Sequence, residues 1–486
     1  MGRSREIVRQ RKQTNMNQDV DVAIIGAGSA GLSALQEVRR HTENVVLIND
    51  GAYGTTCARV GCMPSKALIE AANAFHHRHR LLEMGISGGD RLTLDRAAVL
   101  RRVRKLRDAF VAYVLERIKG LGERNIMGRA RFVEPDVLEV NGQRVKARSV
   151  VIATGSRPIV PSAWKALREC VITSDDLFEL ETLPSRMAVL GLGSVGAEMA
   201  QALSRLGIEV TAFDGVEQVA GLTDPIVNRA AVAILREEFP LYLGTNAVVD
   251  ADGASVRVSA GANAVIVDKV LVALGRRPNV EGLGLEQIGA ELDGNGIPCF
   301  NPRTMQVGDL PIYIAGDVNG HRPLLHEAID EGHIAGYNAS SKRPECFQRR
   351  TPLSIVFTDP NIAAVGQLFG ERHESEIVIG EFDFSEQGRA LMANENHGWL
   401  RVYADRNNGR LVGAELCAPR GEHLAHMLAC AIHARMTAQE FLRLPFYHPT
   451  VEEGVESAVR SIAKMLPCAL GPDLATCESI WNETQD

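Results

Sequence analysis

Apolar residues in this chain gather into short continuous runs separated by stripes at helical spacing, and the clearest case comes first. Asp19–Ile25 is a near-continuous apolar run, as expected of a strand buried on both faces. Gly26-Ala27-Gly28-Ser29-Ala30-Gly31 follows, then Leu32–Arg40 with helical patterning, then a second apolar run at Val45–Ile48. This order predicts strand, tight turn, helix, strand. It returns as Met187–Leu190, Gly191-Leu192-Gly193-Ser194-Val195-Gly196, Ala197–Leu206 and Glu209–Phe213, so the pattern is duplicated within the chain.

Between and after the repeats, Ala67–Leu82 and Leu92–Leu121 read as helices, the second rich in Arg and Leu, and short strands are expected around Gly128–Val140. Arg148–Ala153 leads into Thr154-Gly155-Ser156-Arg157-Pro158, and Val270–Leu274 into Gly275-Arg276-Arg277-Pro278. Both are strand-to-turn passages suited to a crossing between domains. Ile312–Ala315 is a strand ending in Gly316-Asp317-Val318. Beyond Ser341 the character changes: Pro352–Gln367, Gly398–Ala404 and Gly409–Ala418 read as strands, and Glu422–Arg435 and Ala438–Leu442 as helices. No glycine fingerprint occurs there, which suits a packing or dimerisation domain. The fold class is therefore α/β, with two Rossmann-like dinucleotide-binding domains and a C-terminal α+β domain.

Composition narrows the class. At 486 residues the chain exceeds what one core usually organises. A net charge of −7 gives no nucleic-acid signature. Nine cysteines, most of them isolated, argue against an extracellular disulfide framework. Neither a membrane-spanning run nor a secretory signal is visible, so a cytoplasmic location is expected. The first 17 residues, with Arg3, Arg5, Arg9, Arg11 and Lys12, read as a disordered leader, and Met16 is an alternative start.

The two glycine turns carry the first chemistry. Gly26, Gly28 and Gly31, and again Gly191, Gly193 and Gly196, let the turn tighten, let backbone N–H groups approach a pyrophosphate and let helix pack on strand. Two nucleotides are implied. An acidic residue usually closes the second strand to hold ribose hydroxyls. In the second repeat it is Asp214; in the first, the same interval from the first glycine reaches Asn49, which accepts without charge. Asp214 with no Arg in the next six residues favours the free 2′-hydroxyl of NAD over NADP. Asp317 lies at the C-terminal end of a strand, where open α/β sheets bind ligands; capping the next helix is the alternative.

Thr55-Thr56-Cys57-Ala58-Arg59-Val60-Gly61-Cys62-Met63-Pro64-Ser65-Lys66 holds two cysteines five residues apart. On a regular helix such residues point to different sides, so a bridge would require a distorted segment, which Gly61 and Pro64 permit. Two unrelated thiols or half a zinc site remain alternatives, although no second Cys/His pair suited to zinc is present and no metal is expected. His76, His77 and His79 read as solvated. Near the end, Tyr447-His448-Pro449-Thr450-Val451-Glu452-Glu453 places a histidine beside a carboxylate, a base-and-orienter arrangement; a structural histidine is the alternative.

Two glycine fingerprints, C-x4-C-x-P-S-K, A-T-G-S-x-P, G-R-x-P-N, A-G-D and H-P-T-x-x-E, in this order, resemble the class I pyridine nucleotide-disulfide oxidoreductases, most closely the dihydrolipoamide-oxidising members. The resemblance covers Met16 to about Leu466. It implies an FAD domain in two parts (18–155 and 276–350), an inserted NAD domain (156–275) and an interface domain (351–486). It implies FAD and NAD as cofactors and a homodimer in which His448 and Glu453 serve the other subunit. Carried over, Gly26, Gly28, Gly31, Asn49 and Asp317 bind FAD, together with Thr154, Gly155 and Gly275 at the turns. Gly191, Gly193, Gly196 and Asp214 bind the nicotinamide nucleotide. Lys66 lies near the flavin, paired with Glu198. Cys57 exchanges with substrate, and Cys62 contacts the flavin. The implied partner is a lipoyl dithiol, free or on a 2-oxoacid dehydrogenase or glycine-cleavage complex. The alternatives are an NAD(P)H-dependent reductase of another small disulfide and a redox-sensing flavoprotein subunit of low turnover. Mercuric reductases need a further C-terminal thiol pair, for which Cys468 and Cys477 are poorly spaced. The chain departs from the family in Thr55-Thr56 before Cys57, Ala58-Arg59 after it, Asn49, and Tyr447 before His448.

Overall fold

The computed structural model describes residues 18–167, 169–466 and Leu474; the leader, Cys468 and Cys477 lie outside the described residues. The chain opens with β1 (Gln18–Ile25), α1 (Ser29–Val38), β2 (Val45–Asn49), α2 (Thr56–Arg59), α3 (Cys62–His76) and the long α4 (Arg96–Lys119). It continues through β3 (Asn125–Met127), β4 (Ala130–Glu134), β5 (Val137–Val140), β6 (Gln143–Ile152) and β7 (Ser156–Pro158). Next come β8 (Val171–Ile172), α5 (Ser174–Leu177), β9 (Arg186–Leu190), α6 (Ser194–Arg205), β10 (Glu209–Phe213), α7 (Pro225–Glu238) and β11 (Leu241–Tyr242). Strands β12 (Val248–Asp252), β13 (Ser255–Ala260), β14 (Asn263–Val267), β15 (Lys269–Val272), β16 (Arg276–Pro278) and β17 (Ile312–Ile314) precede α8 (Leu325–Ser340). The last part holds β18 (Leu353–Val356), β19 (Asn361–Gly366), β20 (Ile377–Asp383), α9 (Gly388–Ala393), β21 (Trp399–Asp405), β22 (Leu411–Ala418), α10 (Gly421–His433), α11 (Ala438–Leu442) and α12 (Glu453–Met465).

The chain forms two compact units, neither contiguous. The first takes residues 18–57, 110–157 and 277–348. Its sheet has the order β3-β2-β1-β6-β5-β4, with β17 also pairing β6. Strands β3, β2, β1, β6 and β17 run parallel, whereas β4 and β5 are antiparallel additions. Alternation along β1 supplies two cores at once: Val22 and Ile24 pack with α1 and α8, while Ala23 and Ile25 pack with β4–β6 and Leu283. That two-sided burial is why β1 reads as continuously apolar. Helices α1 and α8 touch at small residues. A Cβ on Gly332 would lie 2.2 Å from the Ala30 carbonyl oxygen, so nothing larger than glycine allows this approach.

The second unit takes residues 58–109, 158–276 and the chain from 349 on. A parallel sheet, β11-β10-β9-β15-β8, stands beside the antiparallel meander β12-β13-β14. A five-stranded antiparallel sheet, β18-β19-β22-β21-β20, completes the unit. Leu68 of α3 and Leu100 and Val103 of α4 share one core with Met199 and Leu203 of α6. Pro352–Gln367, expected as one strand region, is two strands, broken at Phe357–Pro360. The stretch 58–109, expected within the FAD domain, clusters with the second unit, because α3 packs along α6.

Two buried carboxylates tie the C-terminal sheet to α7. Asp224, fully buried, caps α7 by accepting the Ile226 and Val227 N–H groups and receives Arg401 Nη1 at 2.7 Å and Tyr403 Oη at 2.9 Å. Glu415 accepts the Thr223 and Asp224 N–H groups at 2.7 and 3.0 Å. Paired and hydrogen-bonded charges of this kind resist removal of either partner.

Candidate active site

Both glycine turns have the same geometry. Gly26 and Gly191 adopt φ of +111° and +88°, and a Cβ at either would run into the carbonyl oxygen of Ala153 or Ala273, at 2.2 and 2.5 Å. At Gly31 and Gly196 a Cβ would sit 1.9 and 1.8 Å from the carbonyl oxygens of Gly26 and Gly191. The middle glycines differ in kind. Gly28 and Gly193 are the N-caps of α1 and α6 and supply no side-chain cap. A Cβ at Gly28 would meet only the Ala153 oxygen at 4.0 Å, and at Gly193 nothing within 4 Å. The outer glycines therefore shape the turn, while the middle ones leave uncapped helix N–H groups open to an anion.

Asn49 and Asp214 brace these turns in parallel fashion. Asn49 Oδ1 accepts the Ala27 N–H at 3.0 Å, and its amide nitrogen donates to the Gly51 carbonyl at 2.9 Å. Asp214 Oδ2 accepts the Leu192 N–H, and Oδ1 accepts the Val216 N–H at 3.2 Å. The carboxylate thus adds a negative charge beside its turn that the amide does not.

The crossover turns are laced together within the first unit. Thr154 Oγ1 donates to the Asn279 carbonyl at 2.7 Å, Asn279 Nδ2 to the Thr154 carbonyl at 3.0 Å, and Asn279 N–H to the Gly155 carbonyl at 2.9 Å. In the second unit the Gly275 carbonyl accepts the Ile159 N–H at 3.0 Å. Arg157 forks onto Glu281; the hydrogen bond from Arg157 is the main reason the Glu281 carboxyl falls to about 2. Asp317 does not cap α8, whose N-cap is Leu324; its carboxylate accepts Ser156 Oγ at 2.7 Å. Glu331, almost completely buried on α8, accepts the Gly316 N–H at 2.8 Å and Asn319 Nδ2 at 2.7 Å, fixing the turn that presents Asp317. Nothing in the sequence marks Glu331, which reads there as one more helix carboxylate.

At the cysteine segment the chain makes two helices rather than one. Thr55 takes φ of +61°, Cys57 lies in α2, and Cys62 is the first residue of α3. Gly61, with φ −115° and ψ −121°, breaks the helical path, and Pro64 falls in the first turn of α3, where no N–H is required. One turn further on, Lys66 Nζ donates to both oxygens of Glu198 on α6, at 2.9 and 2.8 Å. At the far end of α3, His76 is half-buried rather than solvated. Burial first, and then the charge of Arg205, push it down to about 4. His77 faces Asp359 at 3.7 Å.

His448 Nδ1 and Glu453 Oε1 are 2.9 Å apart, and Glu453 Oε2 accepts the Thr450 N–H at 3.0 Å. Those two bonds hold the Glu453 carboxyl below its ordinary range, the one to His448 foremost. The carboxylate assigns the proton on Nδ1 and leaves Nε2 as the accepting nitrogen. His448 is 81% exposed, as is Tyr447 beside it.

The family model "Pyridine nucleotide-disulphide oxidoreductase" matches residues 20–332, and its dimerisation-domain model matches residues 353–459. The chain belongs to the pyridine nucleotide-disulphide oxidoreductases. Within the family it is similar to the dihydrolipoyl dehydrogenase of Thermus scotoductus, with 32% identity over 91% of this chain and 97% of that one. It is also similar to the mercuric reductase of Staphylococcus aureus, at 28% over 94% and 85%. Among solved structures, LpdA from Mycobacterium tuberculosis superposes with a TM-score of 0.79 at 26% identity, covering 91% of this chain and 99% of that one. The HOCl-induced flavoprotein disulfide reductase RclA from Escherichia coli superposes at 0.78 and 22%, covering 92% and 99%, a likeness of fold.

Family membership implies FAD and a nicotinamide nucleotide, and the residues present fit both. Two uncapped helix N-termini behind open glycines suit two pyrophosphates, and Asp317, just past the C-terminal end of β17, offers an acceptor where open α/β sheets bind ligands. Among the described residues, no group of three or more His, Cys, Asp or Glu side chains is placed to hold a metal, and no helix is long and apolar enough to cross a membrane.

Proposed function

We propose that this oxidoreductase oxidises a dihydrolipoyl dithiol with NAD, as a homodimer, through FAD and a redox-active Cys57–Cys62 pair. The observation that carries the reading is the His448–Glu453 dyad, 2.9 Å across and held by the Thr450 N–H, since such a dyad serves an enzyme that must take protons from thiols. In the oxidised protein Cys57 and Cys62 share a disulfide. His448 Nε2 accepts a proton from one substrate thiol; the thiolate attacks the Cys57 sulfur, and Cys62 leaves as a thiolate. The second substrate thiol then closes on the first sulfur, its proton passing to the departing Cys57, which forms the lipoyl disulfide and releases Cys57 as a thiol. Glu453 stabilises the imidazolium in both steps. Bound FAD would supply the two-electron chemistry by which the reduced Cys57–Cys62 pair returns to the disulfide and NAD gains a hydride. Lys66, fixed by Glu198, supplies the positive charge near the flavin. Asp214 selects NAD, because a 2′-phosphate would meet its carboxylate.

The departures at Thr55-Thr56 and at the exposed Tyr447 favour a second reading, reduction of a different small disulfide by the same residues. Steady-state assay of the purified holoenzyme against a panel of dithiols and disulfides, with NAD and NADP, decides between them. Dihydrolipoamide should be the preferred dithiol, and Cys57→Ala and Cys62→Ala should both abolish its oxidation. Normal turnover by either variant would show that the cysteine pair takes no part in the reaction.

A further inference from the structure

The carboxylate that holds Lys66 is itself held by the turn between β18 and β19. Glu198, Gln201 and Arg205 stand three and four residues apart on one face of α6, and all three reach this turn. Glu198 Oε1 accepts the Phe357 N–H at 2.9 Å. Gln201 Oε1 accepts the Asp359 N–H at 2.8 Å, and Arg205 Nη1 donates to Asp359 Oδ2 at 2.9 Å. Arg205 also donates to Asn73 Oδ1 of α3 at 2.6 Å, so the helix bearing Lys66 is pinned to the same face. The Glu198 side chain, 5% exposed, divides its acceptors between the Lys66 ammonium and the Phe357 main chain. The Lys66 ammonium in turn lies over the Phe357 ring, 4.6 Å from its centre.

We propose that Phe357 is a positioning residue for Lys66. Its N–H fixes the Glu198 carboxylate, and its ring holds the ammonium by a cation–π contact. A lysine head is a strongly hydrated point charge on a flexible stem, and the side chain of Lys66 keeps 31% exposure, so water competes with Glu198 for its protons. The ring face occupies one approach without offering a competing acceptor and attracts the cation electrostatically. The consequence for the flavin rests on the role proposed for Lys66 above. A fixed ammonium favours the reduced, more negative flavin, and a loosened one favours it less.

Phe357→Leu keeps the main-chain N–H and most of the apolar volume but removes the ring; Phe357→Tyr keeps the ring. In the purified protein, Lys66 acylation by an amine-selective reagent, read by peptide mass spectrometry, should rise about threefold or more in Phe357→Leu and return in Phe357→Tyr, as expected for loss of one cation–π contact. In a redox titration of the holoenzyme, Phe357→Leu should shift the flavin equilibrium towards the oxidised form by a similar factor, with Phe357→Tyr restoring it. Equal acylation in wild type and Phe357→Leu overturns the proposal, as does a rise that the tyrosine fails to reverse, because both describe a packing residue only. Faster acylation with an unmoved flavin equilibrium overturns the link to the flavin. Protein that binds no flavin at all sinks the proposed function, while the acylation series still decides the role of Phe357.

Discussion

The two glycine-turn helices, α1 and α6, start alike and end with opposite charge. At their N-termini the geometry is nearly interchangeable: the same glycine clashes, the same uncapped N–H groups, the same bracing of the turn by the residue at Asn49 or Asp214. At their C-terminal halves, α1 buries a carboxylate. Glu37, 4% exposed, faces Arg40 and His333 at 3.0 Å and His41 at 3.3 Å. Helix α6 buries a cation instead, with Arg205 Nη2 on Glu238 Oε1 at 2.7 Å and Nη1 on Asp359. The position matching Arg205 in the first repeat is Arg40, which stays 60% exposed. Backbone overlap at the outer glycines constrains the turn; each helix's neighbours set the rest.

The comparison can be broken most severely at the third glycines. Gly31→Ala should strip the protein of flavin and leave nicotinamide binding to the other repeat. Gly196→Ala should keep the flavin and weaken NAD binding by about 10- to 100-fold, the scale of a forced backbone overlap. Flavin absorbance and NAD titration read the two apart, and loss of both ligands in either variant would show that the repeats are not independent. Next in size, Arg205→Met leaves Glu238 without its cation and Asp359 with only His77 and Arg80, and should cost about 3 kcal/mol in chemical denaturation. Glu37→Gln, whose partners are largely solvated, should cost about 1 kcal/mol. Equal costs would erase the contrast between the helices.

A smaller effect is expected at the bracing residues. Asp214→Asn should reduce the preference for NAD over NADP about tenfold in kcat/KM, whereas Asn49→Asp should change flavin affinity by about threefold or less. A last effect concerns pH. The folded chain protonates His76 only near pH 4, whereas the unfolded chain does so near 6.5, so its contribution is complete above pH 6.5 and is lost as pH falls towards 4. Its partial exposure limits that loss to about 1–2 kcal/mol. His76→Asn should flatten the stability profile between pH 6.5 and 4, and an unchanged slope would refute the burial argument. Asp359 adds no slope in that range. Burial raises its carboxyl, but hydrogen bonds from His77 and Arg205 and the charges of Arg205 and Arg80 outweigh burial and hold it far below the usual carboxylate range. Its contribution is therefore present above pH 3.8 and is lost only as pH falls through that depressed value.

Both repeats were legible in the sequence because a parallel strand buried on two faces writes an unbroken apolar run and the glycines that follow have no substitute. The broken helix at Cys62 was legible for a related reason: Gly61 and Pro64 are incompatible with a continuous helix between the cysteines. Contacts between distant segments were not legible. Glu331 looks like any helix carboxylate until Gly316 and Asn319 come to it, and Phe357 looks like one more strand residue until Glu198 and Lys66 close on it. His76 was read as solvated because its neighbours His77, His79 and Arg80 are polar, yet Arg205 and the core it belongs to come from 129 residues further along the chain. Helices α7, α8 and α12 were not read from the sequence, although the Asp224-Pro225 cap of α7 is a local signal; α8 and α12 start without a side-chain cap.

Discontinuity has a consequence for the order of events during synthesis. The first unit lacks its closing strand β17 and helix α8 until residues 277–348 have emerged, and the second gathers segments on either side of those residues. Translation therefore exposes β1, α1 and β2 for most of its duration before β17 and α8 exist to cover them. The nascent chain carries an uncovered parallel sheet edge and two apolar faces through that interval, so its dependence on chaperones should be set by the elongation rate between residues 158 and 276, a stretch that contributes nothing to the first unit.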